Sequence, residues 1–185
     1  MSLKRVTLAF CATAALLCCT AATSSVKAQQ SQLSTERLIS TAREIMTTAR
    51  YCALITTGDQ GRPNARTMDA FAPDEHMIVW LATNPQSRKV ADIRRNPRVT
   101  LYYFDRENQA YVTLYGVARL VNDRNEKSRH WKDEWKAFYP DRDQSYLLIE
   151  VRPIKLEVVN VKKGVVGTSS NWDPPTVTFP LGRRK

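Results

Sequence analysis

The feature that most constrains the fold is a series of short apolar runs separated by tight turns. Tyr51–Thr57 reads as a strand, Gly58-Asp59-Gln60-Gly61 as a turn, and Pro63–Phe71 as the returning partner. Pro73-Asp74-Glu75-His76 makes a second turn before the continuous apolar strand Met77–Ala82, whose lack of alternation predicts cover on both faces. Strand Arg98–Phe104, the turn Asp105–Asn108 and strand Ala110–Val121 follow, and a last strand runs from Tyr146 to Val161 with a bulge or edge at Pro153. Tight turns cannot join parallel neighbours, so these runs predict an antiparallel sheet or barrel rather than a doubly wound parallel sheet.

Three segments have helical periodicity. Ser34 is the expected N-cap of a helix through about Ala49, with Leu38, Ala42, Ile45, Met46 and Ala49 on one face. A second opens at Ser87 and stops before Asn96-Pro97, because proline disfavours helical geometry in the residue before it. A third follows Asp123 and Glu126, which have capping-box spacing; Trp131, Trp135 and Phe138 at i, i+4 and i+7 predict a core-facing aromatic stripe. The class is therefore mainly β with flanking helices (α+β).

The first 28 residues have export character. Lys4 and Arg5 precede the apolar run Val6–Thr20, which is shorter than the ~20 residues of a membrane span, and Val26-Lys27-Ala28 has the small-x-small pattern of a cleavage site. The reading is a signal peptide over residues 1–28, export to a periplasm or the exterior, and no stable membrane span after cleavage. A lipid anchor at Cys18 or Cys19 and an uncleaved anchor are the alternatives. Cleavage lowers the net charge of +10 by three and leaves Cys52 as the only cysteine, so no intrachain disulfide can form. The expected organisation is a single domain over 29–163 and an irregular arm over 164–185.

The inventory of reactive groups is thin. His76 and His130 are the only histidines, and their placement offers neither metal-ligand spacing nor a base beside a nucleophile. No metal site is expected. Cys52 reads as buried packing. Thr168, Ser169 and Ser170 form a hydroxyl run with no motif around it. The moderate positive charge is compatible with several anionic partners and selects none.

The stretch Thr83–Val99 stands out. Arg88 and Lys89 fall in the first turn of their helix, where the dipole and free amides favour negative charge. Either both side chains extend into water, or an anion such as a phosphate sits among them with the Ser87 hydroxyl. Arg66 falls in a strand, either inside the sheet against an anion or facing solvent at an edge.

Gly61-Arg62-Pro63 with Ala65-Arg66-Thr67-Met68, then Thr83-Asn84-x-x-Ser87-Arg88-Lys89, then Ile93-x-x-Asn96-Pro97-Arg98-Val99 resembles the pyridoxamine 5′-phosphate oxidase-like flavoproteins. The later runs Trp131-x-x-x-Trp135-x-x-Phe138-Tyr139-Pro140 and Tyr146-x-Leu148-Ile149-x-Val151-x-Pro153 are similar to their general-stress-protein branch. The resemblance implies an antiparallel split β-barrel homodimer that binds FMN between its subunits. Arg66, Ser87, Arg88 and Lys89 would hold the FMN phosphate, with Thr83 at the phosphate or ribityl chain. Thr67, Met68 and Asp69 would run along the flavin edge, mainly through backbone groups, and Tyr111 would stack on or bond to the ring. The flavin would carry redox chemistry on an unknown small molecule, with nucleic acid not expected as a partner. A non-catalytic flavin-binding, stress or sensing role is the alternative, as is a related reductase with another flavin-type cofactor such as a deazaflavin. Haem is opposed by the absence of suitable axial histidines. True oxidase activity on vitamin B6 is not expected. The paired Arg-Gln of the oxidase is replaced by Ala110-Tyr111, and its C-terminal Arg-x-His segment has no counterpart. The C-terminal Trp of the stress branch is replaced near Val159, with Trp172 as a substitute.

Overall fold

The computed structural model describes residues 35–167 and 170–180. The expected signal peptide, the Ser34 cap, Thr168, Ser169 and the final Arg183-Arg184-Lys185 lie outside the described residues. The chain divides into two units, Met1–Arg37 and Leu38–Lys185. Of the first, residues 35–37 are described and are helical. Among the described residues no helix is long and apolar enough to cross a membrane.

The larger unit is built on a seven-stranded antiparallel sheet. Its strands are β1 (Tyr51–Thr57), β2 (Pro63–Asp69), β3 (Val79–Thr83), β4 (Arg98–Asp105), β5 (Ala110–Val121), β6 (Leu147–Asn160) and β7 (Thr176–Thr178). The order is β2-β1-β4-β5-β6-β3, with β7 added beside β6. A bridge between Ala70 and Leu81 brings the chain after β2 against β3, closing the curled sheet towards a barrel. Residues 38–49 of helix α1 (residues 35–49), with α2 (Arg88–Arg95), α3 (Arg124–Arg129) and α4 (Arg142–Ser145), flank it.

Register explains the core. Leu54, Leu101, Leu114 and Leu156 lie opposite one another across β1, β4, β5 and β6, and all four are fully buried. Alternation then sends Tyr102, Thr113 and Glu157 to the outer face. Ala42, Ile45 and Met46 of α1 join this core, as the helical spacing predicts. β3 is buried along nearly its whole length, in agreement with its continuous apolar run. Pro153 marks a bulge: β5 and β6 shift register between Tyr115 and Gly116, so Gly116 pairs with Pro153 and Ile154 is the extra residue. A Cβ on Gly116 would lie 2.6 Å from the Arg152 carbonyl oxygen and 2.7 Å from Val151 Cγ1, so the close approach requires glycine.

Three expectations differ from the structure. β2 ends at Asp69 rather than Phe71, and β3 begins at Val79 rather than Met77. Met77 instead closes a turn at φ 61°, held by Asp74, whose Oδ1 accepts from the amides of His76 and Ile78 at 2.9 and 2.8 Å. The segment after residue 163 is not wholly irregular, because Thr176–Thr178 pairs with Lys155–Glu157.

The third difference concerns the aromatic stripe. Asp123 caps α3 as expected, accepting from the amides of Asn125 and Glu126. The helix nevertheless ends at Arg129, and Trp135 lies in a separate short turn over Asp133–Trp135. Phe138 is 75 % exposed. Trp131 and Trp135 pack around Tyr146, with ring centroids at 5.3 and 6.3 Å. Trp135 also donates its indole N–H to Asp69 at 2.9 Å. These long-range contacts outweigh local helical periodicity.

Candidate functional site

Arg66 sits opposite Leu54 across the β1–β2 pair, so its side chain leaves the sheet on the core-facing side. It does so on the edge strand, beside α2, and retains 20 % exposure. The guanidinium is firmly held. Nη1 donates to Thr56 Oγ1 at 2.7 Å, to the Asn64 carbonyl at 2.9 Å and to the Leu54 carbonyl at 3.2 Å, while Nη2 lies 3.5 Å from Asp92. The choice left open by spacing is therefore resolved: Arg66 is partly buried and paired within the chain.

Helix α2 supplies the second side. It has no acidic residue in its first turn, and Ser87 at its N-cap makes no side-chain capping bond. The Ser87 hydroxyl instead lies 3.0 Å from Thr83 Oγ1 at the end of β3. Lys89 Nζ donates to the same Thr83 oxygen at 3.1 Å. Val90 and Ile93 are buried and anchor the helix; Lys89, one turn before Ile93, shares that inward face and is half-buried, whereas Arg88 is exposed beside it.

The electrostatics are those of crowded cations. Burial pushes Lys89 below its ordinary ammonium value, and the charge of Arg66 adds to the effect. Burial lowers Arg66 as well; Asp92 pulls it back up and Arg88 pushes it down again. Among the described residues neither Arg88 nor Lys89 has a carboxylate contact. Two of these three cations would be stabilised by an anion, and the hydroxyls of Thr83 and Ser87 sit beside them.

The structure thus brings Arg66, Thr83, Ser87, Arg88 and Lys89 to one end of the barrel. The other expected site residues are distributed differently. Thr67 is exposed on β2, whereas the Met68 side chain is buried in the core, leaving its backbone for any contact outside. Asp69 is engaged by Arg50 at 2.9 Å, Lys132 at 2.7 Å and Trp135. Burial works against its charge, but these donors outweigh it and hold the carboxyl well below the usual carboxylate range. Tyr111 lies on β5, with β1 and β4 between it and β2. Its ring is 5.9 Å from that of Tyr102, and it belongs to the outer face rather than to the cation cluster.

Sequence reasoning missed the groups that support the cluster: Thr56, Asn64 and Asp92 around Arg66, and Arg50 and Lys132 around Asp69. Asp92 carries a faint signal, as the one acid in an otherwise cationic polar face of α2. Cys52 is buried and its thiol is pushed up to about 12, which makes it inert. Among the described residues no group of three or more His, Cys, Asp or Glu could hold a metal ion.

Comparison with known proteins places the chain in a family. The profile described as Pyridoxamine 5′-phosphate oxidase like matches residues 38–172. The chain belongs to this family. It is 26 % identical over 110 residues to General stress protein 26 of Bacillus subtilis, covering 57 % of this chain and 77 % of that one. A Clostridium acetobutylicum protein related to general stress protein 26 superposes with a TM-score of 0.64 at 23 % identity, over 78 % of this chain and 96 % of that chain. A pyridoxamine 5′-phosphate oxidase-related, FMN-binding protein of Nostoc punctiforme gives a TM-score of 0.54 at 14 % identity, over 75 % and 91 % of the two chains. At these identities the structural likeness shows the fold, that of the split barrels.

Proposed function

We propose that this chain is an exported FMN-binding redox protein that acts as a homodimer on a small molecule. The observation that carries the proposal is the cation cluster of Arg66, Arg88 and Lys89, in which burial and mutual repulsion depress Arg66 and Lys89. A phosphate monoester relieves that repulsion and accepts from all three side chains and from the hydroxyls of Ser87 and Thr83. Each charge-assisted contact is worth roughly 1.5–3 kcal/mol, so three of them suffice to retain a cofactor. The FMN-binding relative with the same fold supports the choice of ligand.

The protein's part is placement and electrostatics. Arg66, Ser87, Arg88 and Lys89 fix the phosphate, Thr83 borders the ribityl chain, and the backbone of Thr67, Met68 and Asp69 follows the ring edge. Asp69 suits this role because its side chain is fully occupied on the protein side by Arg50, Lys132 and Trp135, which stiffens the strand end. Bound flavin supplies the hydride and one-electron chemistry that these side chains lack.

The dimer is supported by the outer face of the sheet. Tyr51 and Phe104 are 52 % and 57 % exposed, Tyr102 is also exposed, and the half-buried Tyr111 lies directly across from Phe104. A second copy covers this aromatic patch and brings Tyr111 to the cofactor groove. Export rests on the leader-like residues 1–28.

The test is an absorbance spectrum of the purified mature chain before and after addition of FMN, with light scattering for mass. Flavin bands that survive desalting and a dimer mass are the expected results. A colourless protein that retains no FMN refutes the cofactor, and a monomer with bound FMN refutes the assembly. Rapid-mixing reduction by NADH or NADPH, followed by reoxidation, then separates a redox protein from a non-catalytic binder. Fractionation of the producing cells tests export.

A further inference from the structure

Among the described residues, Asp92 is the carboxylate that meets the cation cluster, at Arg66. At 5 % exposure it falls within the range of the core side chains, a rare position for an acid. Both oxygens are engaged. Oδ2 accepts from the Thr56 hydroxyl at 2.7 Å and the Asn64 amide at 3.1 Å, and lies 3.5 Å from Arg66 Nη2; Oδ1 accepts from Arg95 Nη2 at 3.1 Å. Thr56 also accepts from Arg66, so Asp92 meets Arg66 both directly and through this hydroxyl. Arg95 is shared with the exposed Asp59 at 2.6 Å, which leaves Arg66 as the cation that depends on Asp92 for its counter-charge.

Arg66 does not depend on Asp92 for its position. Its Nη1 keeps three acceptors, Thr56 Oγ1 and the carbonyls of Leu54 and Asn64, whatever residue stands at position 92. The contribution of Asp92 is therefore charge more than geometry.

We infer that Asp92 sets the charge of the phosphate cradle. It offsets Arg66 and leaves Arg88 and Lys89 as two cations in excess, the charge complement of a doubly ionised phosphate monoester. It also opposes the bound phosphate and so limits how tightly the cofactor is held. The inference rests on the FMN reading above. Asp92 is a specificity-determining residue that need not touch the ligand, because a unit charge acts on a nearby dianion through the intervening protein.

The experiment titrates FMN and riboflavin, which differ by the phosphate, into the parent protein, Asp92→Asn, Arg66→Gln and the Arg66→Gln/Asp92→Asn double variant, at low and high salt. Asp92→Asn should bind FMN about tenfold more tightly than the parent at low salt, with the gain shrinking at high salt and riboflavin affinity unchanged. The double variant should bind FMN about tenfold more tightly than Arg66→Gln. It removes both members of the pair, so no lone buried ion remains, and the comparison survives if Asp92→Asn alone fails to fold. Equal or weaker FMN binding in Asp92→Asn, or equal binding by Arg66→Gln and the double variant, overturns the inference. A parent that binds riboflavin as tightly as FMN overturns the phosphate reading itself, and that result appears before any substitution is made.

Discussion

Replacing Lys89 by methionine should move ligand affinity and fold stability in different directions. The Lys89 ammonium makes one hydrogen bond, to Thr83 Oγ1 at 3.1 Å, and its charge is disfavoured by burial and by Arg66. Methionine keeps the unbranched stem and removes the charge. Thr83 keeps the Ser87 hydroxyl as a partner at 3.0 Å, so no buried group is orphaned. The ligand-free variant should lie within about 0.5 kcal/mol of the parent in urea unfolding, on the stabilised side. Its FMN affinity should fall by roughly 10- to 150-fold, the equivalent of one charge-assisted contact of about 1.5–3 kcal/mol. Riboflavin, which has no phosphate, should bind the two proteins equally in the same flavin-fluorescence titration. The parent should show a matching pH effect. A bound dianion raises the depressed Lys89 pKa, so FMN binding takes up protons at alkaline pH and weakens as Lys89 deprotonates. Undiminished FMN binding by the variant, or a parallel loss of riboflavin, would refute the placement of the phosphate at Lys89.

Three further outcomes follow from packing and ionisation. Gly116→Ala should cost about 1–3 kcal/mol in chemical denaturation, because the added methyl meets the Arg152 carbonyl and Val151 inside the β5–β6 pairing. Tyr103→Phe should leave stability unchanged or raise it by up to about 1 kcal/mol, since the buried Tyr103 hydroxyl has no hydrogen-bond partner of normal geometry, only the Cys52 thiol alongside it. Asp69 has a folded-state pKa held well below its unfolded value; its stabilisation is therefore complete above about pH 4 and is lost as the pH falls further. Asp69→Asn should flatten the acid limb of a stability–pH curve, and an unaltered limb would remove Asp69 from the account.

The strands were legible where a single rule governed them. β1, β4 and β5 alternate between core and surface, and the Gly58–Gly61 turn and Asn96-Pro97 mark ends that depend only on local backbone geometry. Arg88 and Lys89 stand out in the sequence because their charges contradict the helix dipole, and a contradiction of that kind is visible without coordinates. Asp92 was not. In sequence it is one acid on a cationic helix; it is buried only because Thr56, Asn64 and Arg66 arrive from strands 26–36 residues earlier. The aromatic run failed for a related reason. Trp131, Trp135 and Phe138 satisfy helical spacing, but Asp69, 66 residues away, captures the Trp135 indole, while Tyr146 gathers the neighbouring rings.

Strand β7 is three residues long, yet it occupies the free edge of Lys155–Glu157 beyond the β6 bulge. Its apolar residue, Val177, is buried in the core, and the Phe179 amide continues the pairing by donating to the Ile154 carbonyl at 2.8 Å. An uncovered strand edge is a template for another chain. A protein shortened before Thr176 would retain the cation cluster while offering that template to its neighbours. A boundary chosen for expression before Thr176 would therefore bare a strand edge without altering Arg66, Thr83, Ser87, Arg88 or Lys89.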